Sequence, residues 1–293
     1  MVQKSPDDSE LFSPLSPLRN SFSLGMTILA FILTFIALLP LFAIVWEITR
    51  QGLPQLSWEV FTSLPSPPGV ENEANGFANA IVGSLTMVGL AALLSVPLGV
   101  MTGIFVSEFA KGSVVANTIR FVSAVLSSVP SVIVGVFAYG VLVITTKKFS
   151  AVAGGLALGV IMLPIISLTT EEALKAVPMS YRLGSAALGG ARFTTIFRLI
   201  IPAALPSITT GVLLAVARAA GETAPLMFTA LFSQFWAEGL WNPTPSLPVL
   251  IYTYASSPFP DQNAIAWTAS LVLLFLVLIT NLLSRFIIRQ RQS

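Results

Sequence analysis

Six long apolar runs separated by polar links dominate the chain. They cover about 24–46, 80–106, 121–145, 151–168, 207–231 and 265–288. A helix needs roughly 20 mostly apolar residues to cross the about 30 Å of bilayer hydrocarbon. The pattern therefore predicts an all-α membrane protein with six transmembrane helices. They form one domain over 24–288, without an evident internal repeat.

The polar segments set the organisation. Residues 1–23 carry Pro6, Pro14 and Pro17 and the acidic group Asp7, Asp8 and Glu10. They read as a flexible cytoplasmic tail, because the apolar run behind them is too long for a signal peptide. Residues 289–293 form a second tail. The stretches 47–78 (with Pro54, Pro65, Pro67, Pro68, Gly69 and Gly76) and 232–263 read as external loops, and 171–206 as a long cytoplasmic one.

Basic residues decide orientation. With both termini in the cytoplasm, the inner side holds Lys4, Arg19, Lys111, Arg120, Lys175, Arg182, Arg192, Arg198, Arg285, Arg289 and Arg291, against Arg50, Lys147 and Lys148 outside. That asymmetry satisfies the positive-inside rule, and Trp236, Trp241 and Trp267 fall where an outer aromatic belt would. Lys147 and Lys148 fit this topology least; a re-entrant third segment would account for them.

Composition narrows the chemistry. The 293 residues are 55% hydrophobic and 10% charged, with a net charge of +2. Soluble domains devote about a quarter of their residues to charge. There is no cysteine and no histidine. Thiolate or imidazole metal sites and histidine-based acid–base catalysis are thereby excluded. No catalytic residue, metal or nucleic-acid partner is expected. No Gly-x-x-x-x-Gly-Lys-Ser/Thr loop occurs, so this chain does not hold ATP in a P-loop.

The stretch 171–206 reads EEALKAVPMSYRLGSAALGGARFTTIFRLIIPAALP. It divides at Pro178, at Gly189-Gly190 and at Pro202. Ser180 to Leu188 can form two helical turns, with Ser180 as N-cap and the glycine pair as the stop. The small residues Gly184, Ser185, Ala186 and Ala187 permit close approach of another backbone. Beyond Arg192, the residues Phe193, Ile196, Phe197 and Ile200 recur at helical spacing, as in a helix lying along a membrane surface. An ordinary interfacial loop is one reading; a docking helix for a cytoplasmic partner is the other.

The fifth run contains two charges. Counted from Ser207, Arg218 lies about 16 Å into the span, near mid-membrane. Glu222 follows one turn later on the same face. Each charge costs about 2.5–3.5 kcal/mol at that depth. They must face each other, a partner helix or water. Pro225 frees the carbonyl of Gly221, and irregular backbone at this depth is tolerated where it is buried or lines a cavity. A structural ion pair would satisfy the same facts. Ser127, Ser128 and Ser131 beside Pro130, and Thr223 beside the pair, are further candidates for a polar pathway. Such serines also serve as packing contacts or bond to their own helix.

Two stretches resemble a known family. The loop is similar to the EAA loop of ABC-importer permeases. Gly189 matches the motif glycine, and Leu199, Ile201 and Pro202 match its close. Leu183, Gly184 and Ser185 stand where Glu-Ala-Ala would, so the motif's acid is absent. In the family this loop is the helix that couples to the ATPase, which implies that role for Arg182, Leu183, Gly184, Ser185, Ala186, Gly189 and Gly190. The run from Ala217 to Ala230, ARAAGETAPLMFTA, resembles PstA-type permeases of phosphate importers. The resemblance implies a type I ABC-importer (MetI-like) permease fold in a bacterial plasma membrane. It also implies a PstC-like second permease, two PstB-like ATPases binding ATP and Mg, and a PstS-like external phosphate-binding protein. Arg218 would then meet the oxyanion, and Glu222 would hold Arg218 between loads and accept a proton. A permease for sulfate, molybdate or phosphonate, a stand-alone secondary transporter and a membrane scaffold are the competing readings.

Overall fold

The structure, a computed structural model, describes residues 17–67 and 75–290, with side chains over 19–67 and 75–282. Most of the expected N-terminal tail, the middle of the 47–78 loop and Arg291 lie outside the described residues. The chain divides into two compact units, 1–50 and 51–293.

The described part of the first unit belongs to α1 (Pro17–Gly52). The described part of this helix begins seven residues before the apolar run. Its threonine hydroxyls are satisfied locally. Thr27 and Thr34 donate to the carbonyls of Ser23 and Ala30, each at 2.8 Å.

Among its described residues, the second unit has helices as its only regular elements. It contains α2 (Ala78–Phe109), α3 (Val114–Ser128), α4 (Ser131–Thr146), α5 (Ala151–Lys175) and α6 (Met179–Ala187). The helices α7 (Arg192–Ala220), α8 (Ala224–Thr229), α9 (Leu247–Ala255) and α10 (Pro260–Gln290) follow. Among the described residues, five helices are long and apolar enough to cross a membrane, or six spans result if α3 and α4 together count as one.

The third run is thus not one straight span: α3 and α4 are bent by 101°. Pro130 has no N–H and disfavours helical backbone in the residue before it. Val129 is accordingly extended, at φ −68° and ψ 129°. Other boundaries shift too. The fourth run continues as helix to Lys175, which takes Glu171 and Glu172 out of the loop. The fifth starts at Arg192, not Ser207, so Phe193 to Ile200 begin α7 and do not form a separate surface helix. Their stripe splits: Ile196 and Ile200 are buried, whereas Phe193 and Phe197 are exposed. The 232–263 loop contains α9.

Helix α5 is the hub of the fold; 61% of its apolar stretch is buried, against 28% for α2, α7 and α10. Small residues let neighbours approach it closely, as membrane helices require. Met87 lies over Gly154, Ile166 over Gly99 and Thr170 over Gly103. The offset is the same 67 positions in each pair, so α2 and α5 run parallel. Opposite them, Thr169 meets Gly211 and Leu226 meets Gly154. That order makes α7 antiparallel to α5. The core these helices share includes Met87, Leu158, Met162, Ile166, Ala215, Ala219 and Leu226.

Candidate functional site

The register between α5 and α7 fixes the depth of the charged pair. Seven residues up α7 from Gly211 is Arg218; seven back along α5 from Thr169 is Met162. Met162 is the twelfth of the 25 residues of α5, at its middle. The pair is therefore level with the middle of α5, even though α7 starts well before Ser207.

The pair does not sit inside a continuous helix. Helix α7 ends at Ala220, with Gly221 as its cap. The amides of Gly221 and Glu222 donate to the carbonyls of Arg218 and Ala219 at 3.1 and 3.2 Å, which tightens the last turn. Pro225 is at the second position of α8, where its missing N–H costs nothing. The span expected over 207–231 is therefore broken at 221–223.

Arg218 Nε lies 3.6 Å from Glu222 Oε1, beyond hydrogen-bond reach. The Arg218 side chain is 54% exposed and that of Glu222 16%. No other polar partner holds Arg218 among the described residues. It continues a line of exposed positions along α7, through Ala203, Ser207, Thr210 and Leu214. The planar guanidinium fork is consequently open to a ligand, with a carboxylate waiting one turn away.

A second broken element meets the first. A Cβ on Gly135 would stand 2.6 Å from the Cα of Pro225, so α4 and α8 touch backbone to backbone. Gly135 is one turn into α4, and Pro225 begins α8. The starts of the two half-helices therefore lie within about one turn of each other. Ser131 opens α4 on this side and is half-buried, as is Thr223 before α8. Among the described residues neither hydroxyl has a hydrogen-bond partner. Ser127 and Ser128 are exposed across the bend, at the end of α3. The Ser128 hydroxyl is spent on its own helix, donating to Val125 O at 2.7 Å.

The other candidate region is α6 and its base. The glycine stop forms as expected: Gly189 has φ +75°, and the Gly190 amide donates to Ser185 O at 2.9 Å. The expected Ser180 cap does not form. The helix begins at Met179 behind Pro178, whose fixed φ sets the entry without a side-chain bond. Leu183 and Leu188 are 61% and 90% exposed, and Gly184 and Gly189 have open space where a Cβ would be. Ala186 is exposed and Ser185 half-buried, its hydroxyl 2.7 Å from that of Thr195.

Arg182 points inward, away from that exposed surface. Its Nη2 donates to Glu108 Oε1 at 2.6 Å and to Leu174 O at 3.1 Å, and its Nη1 to Val177 O at 2.9 Å. A second buried carboxylate, Glu171, accepts from Arg120 Nε at 2.7 Å and Lys175 Nζ at 2.5 Å. Glu108, Arg120 and Glu171 did not stand out in the sequence as a cluster. The available signal was two carboxylates closing apolar runs, each in need of a cation.

Comparison with known proteins agrees with this architecture. The family described as binding-protein-dependent transport system inner membrane component matches residues 95–292. "Phosphate transport system permease protein PstA" of Haemophilus influenzae is 39% identical over 275 residues, covering 94% of this chain and 95% of that protein. "Probable phosphate transport system permease protein PstA" of Methanocaldococcus jannaschii is 38% identical, covering 84% and 86%. Among solved structures, a bacterial alginate ABC transporter chain superposes with a TM-score of 0.64 at 14% identity, covering 94% of this chain and 97% of that one. A chain of the inward-facing MetNI methionine ABC transporter gives 0.59 at 18%, covering 72% and 94%. These structural likenesses establish the fold.

Proposed function

We propose that this chain, which belongs to the family of binding-protein-dependent transport system inner membrane components and within it to the PstA-type permeases, carries inorganic phosphate across the membrane as one permease subunit of an ATP-driven importer. The observation that carries the substrate step is Arg218: an unsaturated guanidinium at mid-membrane depth, loosely faced by Glu222.

The chemistry follows from that geometry. A phosphate oxyanion entering the site takes two parallel N–H···O bonds from the Arg218 fork. Glu222 faces Arg218 in the empty state and limits how tightly it holds its load. It also accepts a proton from dihydrogen phosphate, which then continues as the dianion, so that the total charge of the site with its load is unchanged by the transfer. A conduit must release its ligand, and exchange of one carboxylate for one phosphate leaves the charge balance nearly unchanged.

The exposed line on α7 that ends at Arg218 supports a pathway completed by a homologous PstC-like permease. Exposed α6, with Leu183 and Leu188, supports docking of two PstB-like ATPases that bind ATP and Mg. A PstS-like phosphate-binding protein would dock on the outer loops. The excess of Lys and Arg at the α2–α3 and α5–α7 ends supports a cytoplasmic α6 and a multi-pass setting in the plasma membrane.

The test is reconstitution of the assembled importer in liposomes with its binding protein. Phosphate should stimulate ATP hydrolysis and uptake together, and sulfate should do neither. Phosphate flux by this chain alone, driven by a proton gradient, would refute the assignment.

A further inference from the structure

Helix α6 has no buried residue. It joins the rest of the protein by two lengths of backbone, at Val177–Pro178 and at Gly189–Gly190. The side-chain links are the Arg182 hydrogen bonds and the Ser185–Thr195 pair. Behind it lies a cavity of about 310 Å³, lined in part by Glu108, Lys111, Arg182, Arg192 and Ile200. Arg182 is engaged with the Glu108 carboxylate and two main-chain carbonyls, and Arg192 with the Glu108 carbonyl, so the space behind α6 is bridged chiefly through Glu108.

Glu108 is placed to form that bridge. It lies in a π turn, Phe105–Phe109, at the end of α2. The additional residue of such a turn changes the helical register, and Val106, Ser107 and Glu108 are buried there. The carboxylate accepts the short bond from Arg182 on α6. The Glu108 carbonyl accepts from Nη2 of Arg192, the first residue of α7. Arg192 also packs over the Phe109 ring, 5.8 Å from its centroid. One residue of α2 thus holds both α6 and the start of the helix that carries Arg218 at its far end.

We infer that Glu108 is a positioning residue of the transport cycle: the joint through which displacement of α6 reaches α2 and α7. Close-packed interiors transmit strain; a cavity does not. Without the Glu108–Arg182 bond, α6 loses its side-chain link to α2 and keeps only the backbone and the Ser185–Thr195 pair as links to α7, so part of its displacement is taken up in the cavity behind it. ATP hydrolysis then moves less phosphate. The inference rests on α6 being the ATPase-docking helix.

The experiment uses the complete importer in liposomes with its binding protein and inorganic phosphate. Glu108→Gln keeps the side chain's shape but removes the charge that makes the bond strong. The ATPase should co-purify at its normal ratio, hydrolysis should stay within about twofold, and phosphate moved per ATP should fall about tenfold. Arg182→Lys, which keeps the charge and loses the fork, should show the same signature more weakly. Proportional loss of hydrolysis and uptake, or no change in their ratio, would overturn the inference. The chain has no native cysteine, so Glu108→Cys with Arg182→Cys can be bridged by a thiol cross-linker. Bridging should restore the ratio; a bridged yet uncoupled importer refutes the joint. The docking premise fails separately: Leu183→Asp with Leu188→Asp should release the ATPase, and an ATPase that stays bound would remove the premise, whatever Glu108 does.

Discussion

Within residues 51–293, the described Arg–Glu pairs occur in two regions, and they are built differently. At the base of α6, Arg182 meets Glu108 at 2.6 Å, and beside it Arg120 meets Glu171 at 2.7 Å. Both carboxylates are buried, and Arg182 also donates to two main-chain carbonyls. Level with the middle of α5, Arg218 stands 3.6 Å from Glu222 with more than half of its side chain exposed. In the tight pairs the guanidinium is already hydrogen-bonded to its carboxylate. The open pair leaves its fork unused in a part of the membrane where unused charge is expensive. Stability favours the first arrangement; exchange of a ligand requires the second.

The sharpest break of this comparison is Arg218→Gln. It removes the charge that an oxyanion would meet, and phosphate uptake should fall by at least about a hundredfold, the scale of losing a preorganised donor aimed at developing or bound negative charge. The unfolding temperature of the assembled importer should hardly move, because the residue makes no close bond in the empty protein. A large loss of stability with a parallel loss of uptake would put Arg218 among the structural pairs.

Glu171→Ala should give the reverse signature. It strands Arg120 and Lys175, whose side chains are 30% and 54% exposed and can rehydrate in part. The cost should therefore fall below that of a fully buried broken pair, at about 1–3 kcal/mol. Thermal unfolding of the purified importer reads it. Phosphate moved per ATP should stay unchanged in the molecules that remain folded, and a changed ratio would contradict a purely stabilising Glu171.

Much of this contrast was legible in the sequence, for identifiable reasons. Arg218 and Glu222 are four residues apart in an apolar run, so spacing and hydropathy alone put them together at depth. The Gly189–Gly190 stop was equally local. The tight pairs were not legible, because Glu108 and Arg182 are 74 positions apart and Arg120 and Glu171 are 51. Only the tertiary fold brings them together. Hydropathy also missed both broken spans. Val129 and Pro130 keep the third run apolar through its 101° bend, and Gly221 to Pro225 scarcely interrupt the fifth. In the other direction, Arg192, Thr194, Thr195 and Arg198 lower the local hydropathy. The start of α7 therefore looked like a loop although it continues into the span.

The same distinction between spent and unspent groups extends to the hydroxyls, where the effects are smallest. Ser128 already donates to Val125 O at 2.7 Å within its own helix, so Ser128→Ala removes nothing that a ligand could use. Thr223 stands beside Glu222 at the break, and its hydroxyl has no partner among the described residues. If it contributes one hydrogen bond to passing phosphate, Thr223→Val, which preserves shape, should lower uptake about fivefold, the equivalent of roughly 1 kcal/mol. Ser128→Ala should leave uptake within experimental error. Initial rates of phosphate uptake in the reconstituted importer compare the two directly. Equal effects would mean that hydrogen-bond saturation in the empty protein does not mark the pathway, and the case for Arg218 would then rest on its charge and depth alone.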